Sequence, residues 1–117
     1  MDHAEEIEFH IREQSFVAHA AAFFLKGQKV AIVIGKTIHL HSAKEAELME
    51  TIAWLRHELL HVQQYRRYGT FLFLIKYGWE SFQKGYWNNR YEIEAREAEG
   101  IVGFEKKFKV VSRRRSG

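Results

Sequence analysis

A chain of 117 residues with 46% hydrophobic and 15% aromatic side chains and no proline has the length and apolar content of one ordered domain, which excludes a disordered or repeat protein. The absence of cysteine excludes disulfides and thiolate metal sites, so any metal ion must be held by histidine and carboxylate. The net charge is only +3, and six of the last twelve residues are basic, so the excess lies mostly in a tail.

The first residues, Met1-Asp2-His3-Ala4-Glu5-Glu6, are acidic where a secretory signal would be basic, and the apolar stretches Phe16–Leu25 and Phe71–Ile75 are too short to span a bilayer. A soluble cytoplasmic protein is the expectation. From about Ser15 to Lys26 the chain reads as a helix, with Phe16, Ala20, Phe23 and Phe24 on a face that closes over the core and Gly27 as its stop. Lys29–Ile34 and Thr37–His41 read as a β-hairpin around Gly35-Lys36, a pair suited to a type II′ turn with glycine first. The same Gly35-Lys36-Thr37 is no phosphate-binding loop, because the glycine needed five residues earlier is Val30.

Ser42-Ala43-Lys44-Glu45 has the form of a capping box and predicts the start of a long helix. Its apolar positions Leu48, Ile52, Leu55, Leu59 and Val62 step by helical spacings, forming one buried stripe that ends at Gly69. An aromatic-rich helix follows from Phe71 to about Gly85, then a polar break at Asn88-Asn89, then a last helix from about Arg90 to Val102. These elements predict an α+β fold, mainly helical with a small β-hairpin, as a single domain over residues 1–103, with 104–117 as a basic tail.

The chemistry lies in the long helix, at His57-Glu58-Leu59-Leu60-His61. Two histidines four apart on a helix differ by about 40° in direction and about 6 Å in height, so both rings can reach one ion. Glu58 is rotated by about 100° from His57, away from the ion but within reach of a water held in an open position. Zn2+ would lower the pKa of that water toward ~7 and polarise a carbonyl, with Glu58 as general base and then proton donor to the leaving amine. A third ligand is needed, either a distant histidine or one of the glutamates of Tyr91-Glu92-Ile93-Glu94-Ala95-Arg96-Glu97-Ala98-Glu99, and that helix is the obvious source. The stripe Tyr91, Ala95, Ala98 and Val102 turns Glu97 outward and leaves Glu92, Glu94 and Glu99 open as ligands.

Leu55-Arg56-His57-Glu58-Leu59-Leu60-His61-Val62-Gln63-Gln64, with the downstream glutamate-rich run, resembles small gluzincin metallopeptidases, including minigluzincins. The resemblance covers about residues 28–102 and takes in Ile34–Leu40 as the strand that precedes the active helix. It implies a minimal zincin-like domain, a zinc metallopeptidase acting on a peptide or protein substrate. It further implies Glu92, with Ala95 three residues on, as third ligand ahead of Glu94, and Thr37–His41 as the cleft-edge strand that pairs with substrate. Arg96 departs from the pattern, standing where many relatives carry an aspartate that holds a liganding histidine.

Tyr65 and His39 are candidates for an oxyanion or substrate contact, with Tyr86, Tyr91 and His41 as alternatives. His39 and His41 share a strand face but lack a third ligand nearby. The basic tail with Arg66 and Arg67 lacks the aromatic platform of a nucleic-acid site. Phe71–Ile75, preceded by a basic pair and followed by tryptophan and tyrosine, has the make-up of a membrane-surface segment, although a core helix over the metal site is the favoured reading. A catalytically silent zinc-binding module, serving regulation or partner binding, is the competing reading, and Glu58 argues against it.

Overall fold

The computed structural model describes residues 6–25 and 30–111, with residues 21–25 described by backbone alone. It is an α+β structure, mainly helical, with one four-stranded sheet. The strands are β1 (Ile7–Arg12), β2 (Val30–Ile34), β3 (Thr37–His41) and β4 (Phe108–Val110). The helices are α1 (Phe16–Leu25), α2 (Glu45–Glu50), α3 (Ile52–Tyr68), α4 (Thr70–Asn88) and α5 (Arg90–Ala98), with a 3-10 turn at Phe104–Lys107.

The sheet runs in the order β2-β3-β1-β4. β2 and β3 form the expected antiparallel hairpin, Ile34 opposite Thr37, and Gly35 takes a φ of 65° that its place in the turn requires. β1 lies between β3 and β4 and runs parallel to both. Residues 104–110, read from sequence as the start of a tail, are instead part of the core: Phe104 and Phe108 are buried, and β4 pairs with β1. Phe108 and Val110 alternate with lysines, so a strand edge carries the charge. Arg113, Arg114 and Arg115 lie outside the described residues.

Helix starts differ from the capping reading. Ser42 has a φ of 59°, and the residue ahead of α2 is Lys44, which makes no side-chain cap. The Glu13 carboxylate, from the loop after β1, accepts the Glu45 N–H at 2.6 Å instead. Thr51 then interrupts the long helix: its ψ of 85° leaves the helical region and its hydroxyl bonds the Glu47 carbonyl at 2.8 Å. As a result Ile52 is exposed, while Leu48, Leu55, Leu59 and Val62 form the buried stripe as expected. In α1, Ser15 is the cap, accepting from the N–H groups of Val17 and Ala18. That start turns Ala18 onto Val30 and leaves Phe16 in solvent, contrary to the expected face; Gly27, Lys29 and the side chains of Phe23 and Phe24 lie outside the described residues.

Gly69, with a φ of 86°, ends α3 and turns directly into α4. Phe73 of α4 is the centre of an aromatic cluster, 4.6 Å from Tyr65 and 5.1 Å from Tyr91 between ring centroids. Gly85, with φ 82° and ψ 165°, breaks the helical path. Asn89, fully buried, then caps α5 by accepting the Tyr91 N–H at 2.8 Å, and its amide ties back to the Tyr77 carbonyl and the Ser81 hydroxyl. α5 ends at Ala98, one turn earlier than expected, so Val102 is exposed. Together these turns lay α5 along α3 and set the glutamates against the histidines.

Candidate metal centre

His57 and His61 project from the middle of α3, and Glu92 from the first turn of α5, where the helix dipole favours its negative charge. His57 Nε2 is 3.1 Å and His61 Nε2 3.3 Å from Glu92 Oε1. The donor atoms of all three lie within 4.8 Å of one another, a group that could hold a metal ion. A tetrahedral ion with bonds of ~2.0–2.1 Å sets its ligand atoms roughly 3.3 Å apart, so the separations to Glu92 fit.

What lies behind the rings strengthens the fit. His57 Nδ1 is 2.8 Å from Glu99 Oε2, and His61 Nδ1 is 2.9 Å from Gln64 Oε1. Both partners are acceptors, which places a proton on each Nδ1 and turns each Nε2 toward the shared point. Gln64 is itself held, donating to the Tyr91 carbonyl at 3.1 Å and to Glu94 Oε1 at 2.8 Å. Tyr77 donates its hydroxyl to Glu92 Oε2.

The three glutamates left open by sequence thus separate into three places. Glu92 joins the histidines; Glu94, the rival ligand, stands behind Gln64; Glu99 orients His57. Glu99, three residues after Arg96, is the acid behind His57, while the Arg96 guanidinium bonds the Trp87 carbonyl at 2.6 Å and stacks on the Trp87 ring.

Charge in the cluster is strongly coupled. Burial opposes protonation of both rings, but hydrogen bonds to Glu92 and the neighbouring carboxylates outweigh it, raising His57 to about 9 and His61 in the same direction. Burial likewise opposes ionisation of Glu92, yet bonds from His57, His61 and Tyr77 hold it well below the usual carboxylate range. Glu58 is pushed up to about 7 by burial, despite the attraction of His61 and His57.

A cavity of about 410 Å³ opens beside these residues, lined by β2 from Ala31 to Ile34, by Glu58 and Tyr65, and by Leu74, Tyr77 and Tyr86 of α4. Tyr65 and Tyr86 both reach it, and burial pushes each hydroxyl up to about 12, so both stay protonated at neutral pH. His39 is not there: its Nδ1 meets the Ser15 hydroxyl at 2.8 Å on the far side of the sheet strands, and His41 meets His19. Tyr91 packs in the aromatic core. The strand at the cavity is β2, not Thr37–His41, which is flanked by β2 and β1 and has no free edge.

Tyr77, Gln64 and the orienting role of Glu99 were not foreseen. Tyr77 follows Phe73 at helical spacing and Gln64 follows His61 by three, so each shares a face with a recognised residue. No family model, curated protein or solved structure matches the chain, and the geometry of the centre itself carries the functional reading.

Proposed function

We propose that the chain is a zinc-dependent peptidase in which His57, His61 and Glu92 hold the metal and Glu58 is the general base. The observation that carries the reading is the convergence of two imidazole Nε2 atoms and a carboxylate, each oriented from behind, beside a cavity that also receives a buried acid. Zinc bound there supplies Lewis acidity, lowering the pKa of water toward ~7 and polarising a carbonyl. Two imidazoles and one carboxylate with an open side favour zinc over calcium or magnesium.

Glu58, buried at the edge of the same cavity, can take a proton and return it to a leaving amine. Tyr65 and Tyr86 offer O–H donors on the cavity wall for a developing oxyanion. Among the described residues β2 pairs with β3 alone, and along its outer edge an extended peptide can add as a further strand. The resemblance of His57–Gln64 to the active helix of small gluzincins supports the same assignment.

Metal analysis of untagged protein, followed by peptide-library cleavage by the parent and by Glu58→Gln, tests the proposal. Zinc in both and cleavage by the parent alone is the expected outcome. Cleavage surviving in Glu58→Gln refutes the base, and protein without affinity for zinc refutes the whole reading. Zinc with no turnover in the parent transfers the assignment to the silent zinc-binding module.

A further inference from the structure

We propose that Tyr77 is a positioning residue that makes Glu92 a one-oxygen metal ligand and so keeps the cavity side of the centre open. The proposal rests on the reading of His57, His61 and Glu92 as the ligands. α4 bears on the centre through its inner side: Phe73 is buried and Tyr77 half-buried, while Phe71, Leu72, Leu74 and Ile75 are exposed, so the expected core helix is one-sided. No helix among the described residues, α4 included, is long and apolar enough to cross a membrane.

Distance alone does not select one oxygen of Glu92. Oε1 lies 3.1 Å from His57 Nε2 and 3.3 Å from His61 Nε2, but Oε2 is also 3.3 Å from His61 Nε2. A glutamate with two free oxygens facing a cation is able to take it with both, as the last glutamate of a calcium loop does. A second oxygen here would fill from the protein the position that a catalytic site leaves to water or substrate. Tyr77 makes the two oxygens unequal: its hydroxyl donates to Oε2, while Oε1 faces both imidazoles. Burial and the charge of Glu92 raise the phenol above its ordinary pKa of 10, so the hydroxyl stays a donor at neutral pH.

The donor is itself held from several directions. The Tyr77 ring meets His61 edge-on at 6.3 Å and Phe73 at 5.8 Å between centroids. Its backbone carbonyl accepts the Asn89 side-chain amide at 3.2 Å, and Asn89 in turn caps α5 at Tyr91, the neighbour of Glu92. One buried residue thus fixes the place of both Tyr77 and the helix turn that carries Glu92. Tyr86 also bears on Glu92, but from beyond the break at Gly85, and its hydroxyl is drawn toward Glu58 as well. That makes Tyr86 the control.

Co2+ and Zn2+ added to the metal-free full chain test this, because the visible bands of Co2+ are strong at four ligands and weaken when a further ligand joins. The parent should show strong bands. Tyr77→Phe should weaken them and lose zinc affinity about tenfold by chelator competition, the low end of what loss of a ligand's partner costs. Tyr86→Phe should keep the parent's bands. Replacing Tyr77 by 4-methylphenylalanine fills the same volume without a donor, and replacing it by 4-aminophenylalanine restores one; the first should behave as Tyr77→Phe and the second as the parent, and this pair decides the matter if Tyr77→Phe does not fold. Weak bands in the parent, bands unchanged by loss of the donor, or an equal change in Tyr86→Phe overturns the proposal while leaving the three ligands in place. A parent that binds neither ion overturns the ligand reading, and the role of Tyr77 with it.

Discussion

Replacing Glu99 by alanine tests whether the centre is built as described, because Glu99 touches no metal position and acts only through His57. Its carboxylate sits 2.8 Å from His57 Nδ1, and its backbone carbonyl accepts from Arg56 at 3.0 Å, which leaves the fold a reason to survive loss of the side chain. Removing an orienting partner of a metal-bound imidazole lowers metal affinity ~10–100-fold, or about 1.4–2.7 kcal/mol. Glu99 is 39% exposed, so solvent screens part of its charge and the lower half of that range is expected. Glu99→Gln keeps an acceptor and should lose less than Glu99→Ala. Arg96→Ala should leave affinity unchanged, since that guanidinium bonds Trp87 and not a histidine. Competition against a chromophoric chelator measures all three. Affinity within twofold of the parent in Glu99→Ala, or an equal loss in Arg96→Ala, would refute the assignment of Glu99 as the orienting acid.

Among the two rival ligands, Glu92→Ala should abolish tight zinc binding, while Glu94→Ala, which strips only Gln64 of a partner, should cost under about tenfold by the same competition. In chelator, the metal-free protein should become less stable as pH rises: the His57 pKa is raised from 6.5 to about 9, so its contribution of up to about 3 kcal/mol is complete below ~6.5 and gone above ~9. Zinc reverses the slope because protons compete with it for the rings, and denaturant midpoints near pH 6 and pH 9, with and without zinc, check both signs. Glu58 has its pKa raised from 4.5 to about 7, a burden of up to about 3 kcal/mol once ionised, so Glu58→Gln should raise the metal-free melting temperature above pH 7; no rise would mean the carboxyl is not destabilising. Gly85→Ala forces a side chain onto φ 82° and ψ 165°, a loss of ~1–3 kcal/mol by denaturant unfolding, and an unchanged midpoint would mean the break relaxes.

The parts of this architecture legible in the sequence are those set by neighbours along the chain. The spacing of His57 and His61 is enough to aim both rings one way, and Gly35 and Gly69 sit where the backbone needs positive φ. Periodicity alone could not separate Glu92 from Glu94, whose directions differ by roughly 200°, because the start of α5 is fixed by Asn89 and its ties to Tyr77 and Ser81 on another helix. The capping box at Ser42 failed for a similar reason: Glu13, 32 positions from Glu45, reached the helix end first. Ile7, Phe9 and Ile11 do alternate with polar residues, a strand signal that was open to reading. Without β1 the order of the sheet could not be known, and with it went the identity of the edge strand.

A closed structural zinc site would surround the ion with four protein ligands and need no acid held in reserve. Here three donors converge, and the remaining side is a cavity walled by β2, Tyr65 and α4. Glu58 stands in that same cavity at the expense of burial, and hydrogen bonds behind His57 and His61 orient both rings. Stability would be served better by an apolar residue at position 58 and by a fourth ligand in place of open space. The presence of neither economy is the physical ground on which the proposed peptidase reading is preferred to a closed structural site.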